Sequence, residues 1–224
     1  NNATFVSRND KGEYENATGT PEFLEAMNWG MDIYDKGYIM PKPDGAAWDW
    51  YKAAFRDGEV AMQTAEVYEI NAFSNMEDDW GFVMFPYNEK VEGATNKTTP
   101  NDNIIVMPSC FDQDTAEKIA FAYDLYTEAT PGFELDDAWK ETYYEQFKDE
   151  RAVDETLQMM TEVEHKQTSF LPMISDLDYG DFCYSVYAGA KKPQQQIEAI
   201  SSKWDSKISD MNKKYANFAA SHSK

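Results

Sequence analysis

The sequence predicts an α/β or α+β class that is rich in helix. Three observations carry this. Apolar residues recur at helical spacing in long stretches, most clearly over 21–36 and 193–218. Short runs of β-type residues stand singly between those stretches. Strands placed between the helices set the pattern apart from a helix bundle.

Along the chain, "SRNDKGEYEN" has polar turn residues around Gly12 and reads as a small hairpin or an irregular loop. A helix follows over "GTPEFLEAMNWGMDIYDKG". Thr20 can cap it, Pro21 suits its first position, and Glu22 favours its positive end. Phe23, Leu24, Met27, Met31 and Tyr34 form its apolar face, and Gly37 ends it. Trp48 to Arg56 is a second helix, broken by Asp57-Gly58. "EVAMQ" reads as a short strand, and Glu66 to Asn75 as helix again.

"WGFVMFPY" and "NIIVMPS" read as strands closed by Pro86 and Pro108. A helix spans "DQDTAEKIAFAYDLYTEAT", with Asp114 or Thr115 as cap and Ala116, Ile119, Ala120, Tyr123 and Tyr126 inward. "ELDDAWKETYYEQF" and "DETLQMMTEVEH" read as helical, "SFLPMISDLDYG" as irregular and "DFCYSVYAGA" as a short helix. Pro193 opens a long helix whose stripe is Ile197, Ile200, Trp204, Ile208, Met211, Tyr215 and Phe218. No internal repeat or low-complexity tract interrupts this order.

With 224 residues the chain can bury a real core. Its formal charge of −21, from 41 acidic against 20 basic residues, repels phosphate backbones and anionic lipid, so nucleic acid is a poor partner. An aromatic content of 15% sets it apart from a disordered acidic tail, and leaves rings to spare for a flat ligand such as a sugar. Two cysteines, Cys110 and Cys183, make neither a disulfide scaffold nor a zinc site, and the count leaves a single bridge between them open. No apolar run approaches transmembrane length. The opening "NNATFVSRND" suits a processed secreted protein or an excised piece equally. Sequons at Asn2, Asn16 and Asn96 matter only in a eukaryotic host.

Little in the sequence points to catalysis. His165 and His222 are the only histidines, His222 is placed in a disordered polar tail, and no Ser or Cys motif pairs with His165. "TEVEH" sets Glu162 and His165 at the E-x-x-H spacing of carboxylate-bridged metal sites, but those need two copies and there is one. "DLDYGD" fails the EF-hand pattern at Gly180, Asp181 and Tyr187. No phosphate-binding Gly loop, dinucleotide motif or basic cluster is present. The expectation is therefore a non-enzyme with no cofactor and no metal.

The order of elements carries a resemblance. "AAFRDGEVAM" has the spacing F-x-x-G-x-x-A-M in Phe55, Gly58, Ala61 and Met62. It is followed by "WGFVMFPY", then by "NIIVMPSCFDQDTAEKIAFAYDLYTEA" with small inner residues Ala116, Ala120 and Ala122, and finally by "KKPQQQIEAI". In this order they resemble the extracellular solute-binding proteins of family 1, the maltose-binding-protein-like substrate-capturing subunits of ABC importers. The resemblance runs from about Ala3 to Phe218 and matches the C-terminal part of the family.

It implies a periplasmic-binding-protein-like type II fold, in which two α/β lobes close on a ligand. Residues 1–101 would belong to the second lobe. Residues 102–150 would cross the hinge and contribute to the first, and 151–224 would return to the second. The chain would be a fragment of such a protein or a truncated relative, and as a fragment a dimer could cover its exposed apolar surface. The implied partners are a small-molecule ligand, a sugar, and the ABC transporter permease subunits. The implied location is extracellular, as a membrane-anchored lipoprotein or in the periplasm. By the same resemblance the ligand-contacting positions are Tyr68 with Glu66 nearby, then Asp178, Tyr179 and Phe182, and more loosely Trp48 and Trp50. Aromatic rings would pack on the C–H face of a sugar and carboxylates would bind its hydroxyls. Two other readings stand beside this one: a surface interaction protein without a small-molecule site, and a carbohydrate-active hydrolase using two carboxylates.

Overall fold

A computed structural model describes residues 3–100, 105–187, 189 and 192–222. The described residues are helix-rich, with one antiparallel pair of short strands. The chain divides into two compact units. Unit 1 comprises Asn1–Met62, Pro86–Lys97 and Gln167–Lys224; unit 2 comprises Gln63–Phe85 and Thr98–Lys166. Of the expected lobe boundaries, residue 150 falls inside unit 2, while 101 and 102 lie outside the described residues, as does the Asn2 sequon.

Unit 1 begins with the hairpin of β1 (Val6–Arg8) and β2 (Tyr14–Asn16), in register Val6↔Asn16, Ser7↔Glu15 and Arg8↔Tyr14. Gly12 lies in its turn, as its left-handed backbone (φ 80°) requires. Helix α1 (Pro21–Asp35) starts where Thr20 Oγ1 accepts the Phe23 N–H at 3.3 Å. It stops at Gly37, whose N–H donates to Tyr34 O while that of Tyr38 donates to Ile33 O. Helix α2 (Trp50–Arg56) closes identically: Gly58 N–H donates to Phe55 O and Glu59 N–H to Ala54 O. The F-x-x-G spacing is thus the spacing of a Schellman stop, with Gly58 in the left-handed region at φ 74°.

Two helices near the end of the chain complete unit 1: α6 (Tyr179–Tyr187) and the 30-residue α7 (Pro193–His222). Phe23 and Met27 of α1 pack with Phe182, Val186 and Ile197. Val6, Tyr14, Ile174, Leu177, Trp204 and Ile208 form the second half of the core. Full burial of each such side chain contributes about 1.5–3 kcal/mol. In the α7 stripe Ile197, Trp204 and Ile208 are buried and Ile200 half-buried, but Tyr215 and Phe218 run past the core and are exposed. His222 belongs to the last turn of α7 rather than to a disordered tail, and its Nδ1 lies 3.0 Å from Phe218 O.

Unit 2 packs Ile70, Phe147, Ala152, Val153 and Leu157 together, with Trp80, Phe82 and Trp139 against them. Its helices are α3 (Gln113–Thr127), α4 (Glu141–Tyr144) and α5 (Gln158–Thr161). A π-helical stretch, Ala152–Leu157, leads into α5, and 3-10 turns cover Val67–Ala72, Ala138–Lys140 and Val163–His165. The two helices expected over 134–147 and 154–165 are therefore fragmented. The cap of α3 is Asp112, whose Oδ1 accepts the Thr115 N–H at 2.8 Å, in place of the expected Asp114 or Thr115.

The expected strands at 59–63, 80–87 and 105–109 are not strands among the described residues; residues 103 and 104 lie outside them. A strand needs a neighbour for its ladder, and local sequence cannot supply one. The segment 80–85 keeps its period of two without a ladder: Trp80, Phe82 and Met84 are half-buried while Gly81, Val83 and Phe85 are exposed. Phe82 O accepts instead from Thr156 Oγ1 at 2.7 Å. No described helix is long and apolar enough to cross a membrane.

Candidate functional site

The candidate positions divide between the units, and each set is built differently. In unit 2, Glu66 precedes the 3-10 turn Val67–Ala72. The Glu69 carboxylate accepts the Glu66 backbone N–H at 3.0 Å, which fixes the entry to the turn. Residues three apart eclipse in a 3-10 turn, so Val67 and Ile70 both face the core. That rotation leaves Tyr68 outside, 68% exposed, with Glu66 exposed beside the turn. The ring can stack on a ligand face and its hydroxyl can donate or accept.

In unit 1, Asp178 stands at the start of α6, and its Oδ1 accepts the Asp181 N–H at 3.3 Å. This is capping work, which occupies one of its two oxygens. Tyr179 is half-exposed, its ring centroid 6.2 Å from that of Phe5. Phe182 corrects the expectation of a ligand contact. It is fully buried, with Phe5, Phe23 and Trp204 at centroid distances of 6.0, 5.8 and 6.1 Å. It lies one turn along from Tyr179 on the same side of the helix, both rings meeting Phe5, but it is deeper and holds the core. Trp48, 87% exposed, lies in the turn before α2, and Trp50 is half-buried at its first residue. Both cysteines are free; burial raises the Cys183 thiol above its ordinary value.

Two shallow hollows are lined by other side chains. The one in unit 1 lies between Ser175-Asp176 and Lys207, Asp210, Met211 and Lys214 of α7. Asp176 is paired with Lys207 at 3.0 Å, and this hydrogen bond and charge hold its carboxyl below the usual range, with Lys203 and Lys214 adding to it.

The hollow in unit 2 has an aromatic wall. Trp80 and Gly81 face Lys148, Asp149, Glu150 and Arg151, with Asp79 at the rim. Phe73 and Phe147 fix the Trp80 ring at centroid distances of 5.6 and 5.2 Å. Lys148 Nζ donates to the carbonyls of Glu77 (2.6 Å) and Asp78 (3.0 Å). The Arg151 guanidinium hydrogen-bonds both Asp149 oxygens, which holds that carboxyl low. A fixed indole edged by hydrogen-bonding groups suits a polar small molecule. Sequence reasoning passed over Trp80 because its run was read as a buried strand; the Asp-Asp pair immediately before it was the available sign of a solvent-facing edge. No family model matches the chain, and comparison with curated proteins and with solved structures finds no match.

Proposed function

We propose that this chain belongs to the substrate-binding subunit of a bacterial ABC importer and helps capture a small solute, a carbohydrate, in a cleft between lobes. The observation that supports this reading most is α3. It carries Ile119, Phe121, Tyr123, Leu125 and Tyr126 around its girth, yet none of its residues is buried. Ile105, Val106, Phe133 and Leu135 on either side are exposed as well. A helix so apolar is ordinarily covered. This is the stretch that the motif order assigns to the other lobe, which would supply the covering surface.

Solute capture is tested by a thermal-shift panel of sugars, oligosaccharides, amino acids and polyamines on the full-length gene product. Ligand at a hundredfold excess over its dissociation constant stabilises by about 2.7 kcal/mol, a readily measured shift. A shift with sugars alone is expected. Silence across the panel from a folded protein would overturn solute capture. Tyr68→Ala should then weaken sugar binding by roughly 1 kcal/mol, about fivefold; unchanged affinity removes Tyr68 from the site.

The same exposed helix favours one competing reading, a surface interaction protein in which α3 meets a protein partner. Under that reading no solute shifts the melting temperature.

A further inference from the structure

After α5 the chain reads Glu162-Val163-Glu164-His165. On a continuous α-helix, Glu162 and His165 would share a face and Glu164 would point away from them. The helix does not continue. Glu162 is extended (φ −76°, ψ 139°), and Val163–His165 forms a 3-10 turn. The break brings Glu164 round to the other two. One donor atom from each of Glu162, Glu164 and His165 lies within 4.8 Å of the others, and His165 Nε2 is 3.7 Å from Glu162 Oε2.

The frame beneath these donors is fixed. His165 N–H donates to Glu162 O at 3.1 Å, and His165 O accepts the Thr98 N–H at 2.7 Å. Thr98 and Lys166 form a parallel bridge beside it. The imidazole is largely buried, with 13% of its side chain exposed, whereas the Glu162 carboxylate is 44% exposed. One ligand is thus held, and the exposed Glu162 carboxylate can rotate toward an ion shared with Glu164.

One imidazole and two carboxylates form a donor set suited to borderline divalent metals. Zinc bonds of about 2.0–2.2 Å at tetrahedral angles place ligand atoms roughly 3.4 Å apart. The observed 3.7 Å pair needs a few tenths of an ångström of closure, and rotation of an exposed glutamate supplies the remainder. A cation also relieves the repulsion between the two carboxylates in a chain of charge −21.

We propose that Glu162, Glu164 and His165 bind a zinc-type divalent ion, with water in the fourth position. The bound ion would brace the edge of unit 2 at Thr98 and Lys166, where the chain enters and leaves its longer segment.

The test is calorimetric titration of zinc into the metal-stripped chain, with cobalt absorbance reporting coordination geometry. A single saturable site is expected, with a tetrahedral cobalt spectrum. Glu164→Gln, at an exposed position, and His165→Ala should each weaken it about tenfold or more, since even loss of a group that only hydrogen-bonds a ligand costs about 10- to 100-fold. His222→Gln, removing the only other histidine, should leave it unchanged. Magnesium at the same concentration should not displace zinc. The proposal is overturned by no binding, by affinity indifferent to both His165→Ala and Glu164→Gln, or by equal displacement with magnesium, which would mark diffuse attraction to an acidic surface.

Discussion

Helices α7 and α3 carry apolar residues at the same helical spacing and meet opposite fates. In α7 the stripe inserts Ile197, Trp204 and Ile208 into the core of unit 1. In α3 the equivalent residues stay in solvent. Even within α7 the stripe changes character, from buried Ile208 to exposed Phe218, with no change in spacing. Periodicity declares which face a helix offers; a second surface, distant in sequence, decides whether that face is used.

The largest expected effect separates the two helices directly. Trp204→Ala should cost about 3–5 kcal/mol in urea denaturation, because a 1%-exposed indole leaves a cavity beneath the hairpin. Phe121→Ser on α3 should stay within about 0.5 kcal/mol in the same assay. A cost above about 2 kcal/mol for Phe121→Ser would break the comparison and show that α3 is covered in solution.

A middle-sized effect probes how tightly α1 and α6 are fitted. A methyl group at Gly30 would overlap the Tyr187 ring, so Gly30→Ala should destabilise by about 1–3 kcal/mol despite the better helix propensity of alanine. Pairing it with Tyr187→Leu should recover part of the loss; a neutral Gly30→Ala would mean that the ring swings aside at no cost.

The smallest effect concerns α3 alone. The Thr115 N–H, then its side chain, hold the Asp112 carboxyl below its ordinary range. A depressed carboxyl contributes fully above its unfolded value of about 3.9 and loses that contribution as pH falls through the folded value. Far-UV ellipticity should therefore drop slightly below about pH 4 while the near-UV signal of Trp204 persists. Asp112→Asn, which caps at any pH, should flatten that drop. Simultaneous loss of both signals would tie α3 to the core.

What could be read from the sequence follows the range of the interaction responsible. Helix α1 was legible end to end, since Thr20, Pro21 and Gly37 act within a few residues of where they stand. So were the opening of α7 at Pro193 and the turn at Gly12. The strand expectations at 59–63 and 80–87 failed because pairing depends on a partner the local pattern does not name, although the alternation at 80–85 survived as alternating burial. Among the candidate site residues, Tyr68 is exposed to solvent, while Phe182 could not be told from a core residue by spacing alone. Glu164 was missed because a helical reading turned it away from His165; the break at Glu162 reverses that.

The contact between Asn212 and Tyr14 sets an order of assembly. The Asn212 amide accepts the Tyr14 N–H at 2.8 Å and donates to the Tyr14 O at 2.9 Å, behaving as a third strand one residue long across a separation of 198 positions. It blocks the outer edge of β2, which would otherwise invite pairing with another chain. During synthesis the hairpin emerges well before its guard, which follows 198 positions later. Over that interval, the edge depends on chaperones or on its own brevity to remain unpaired.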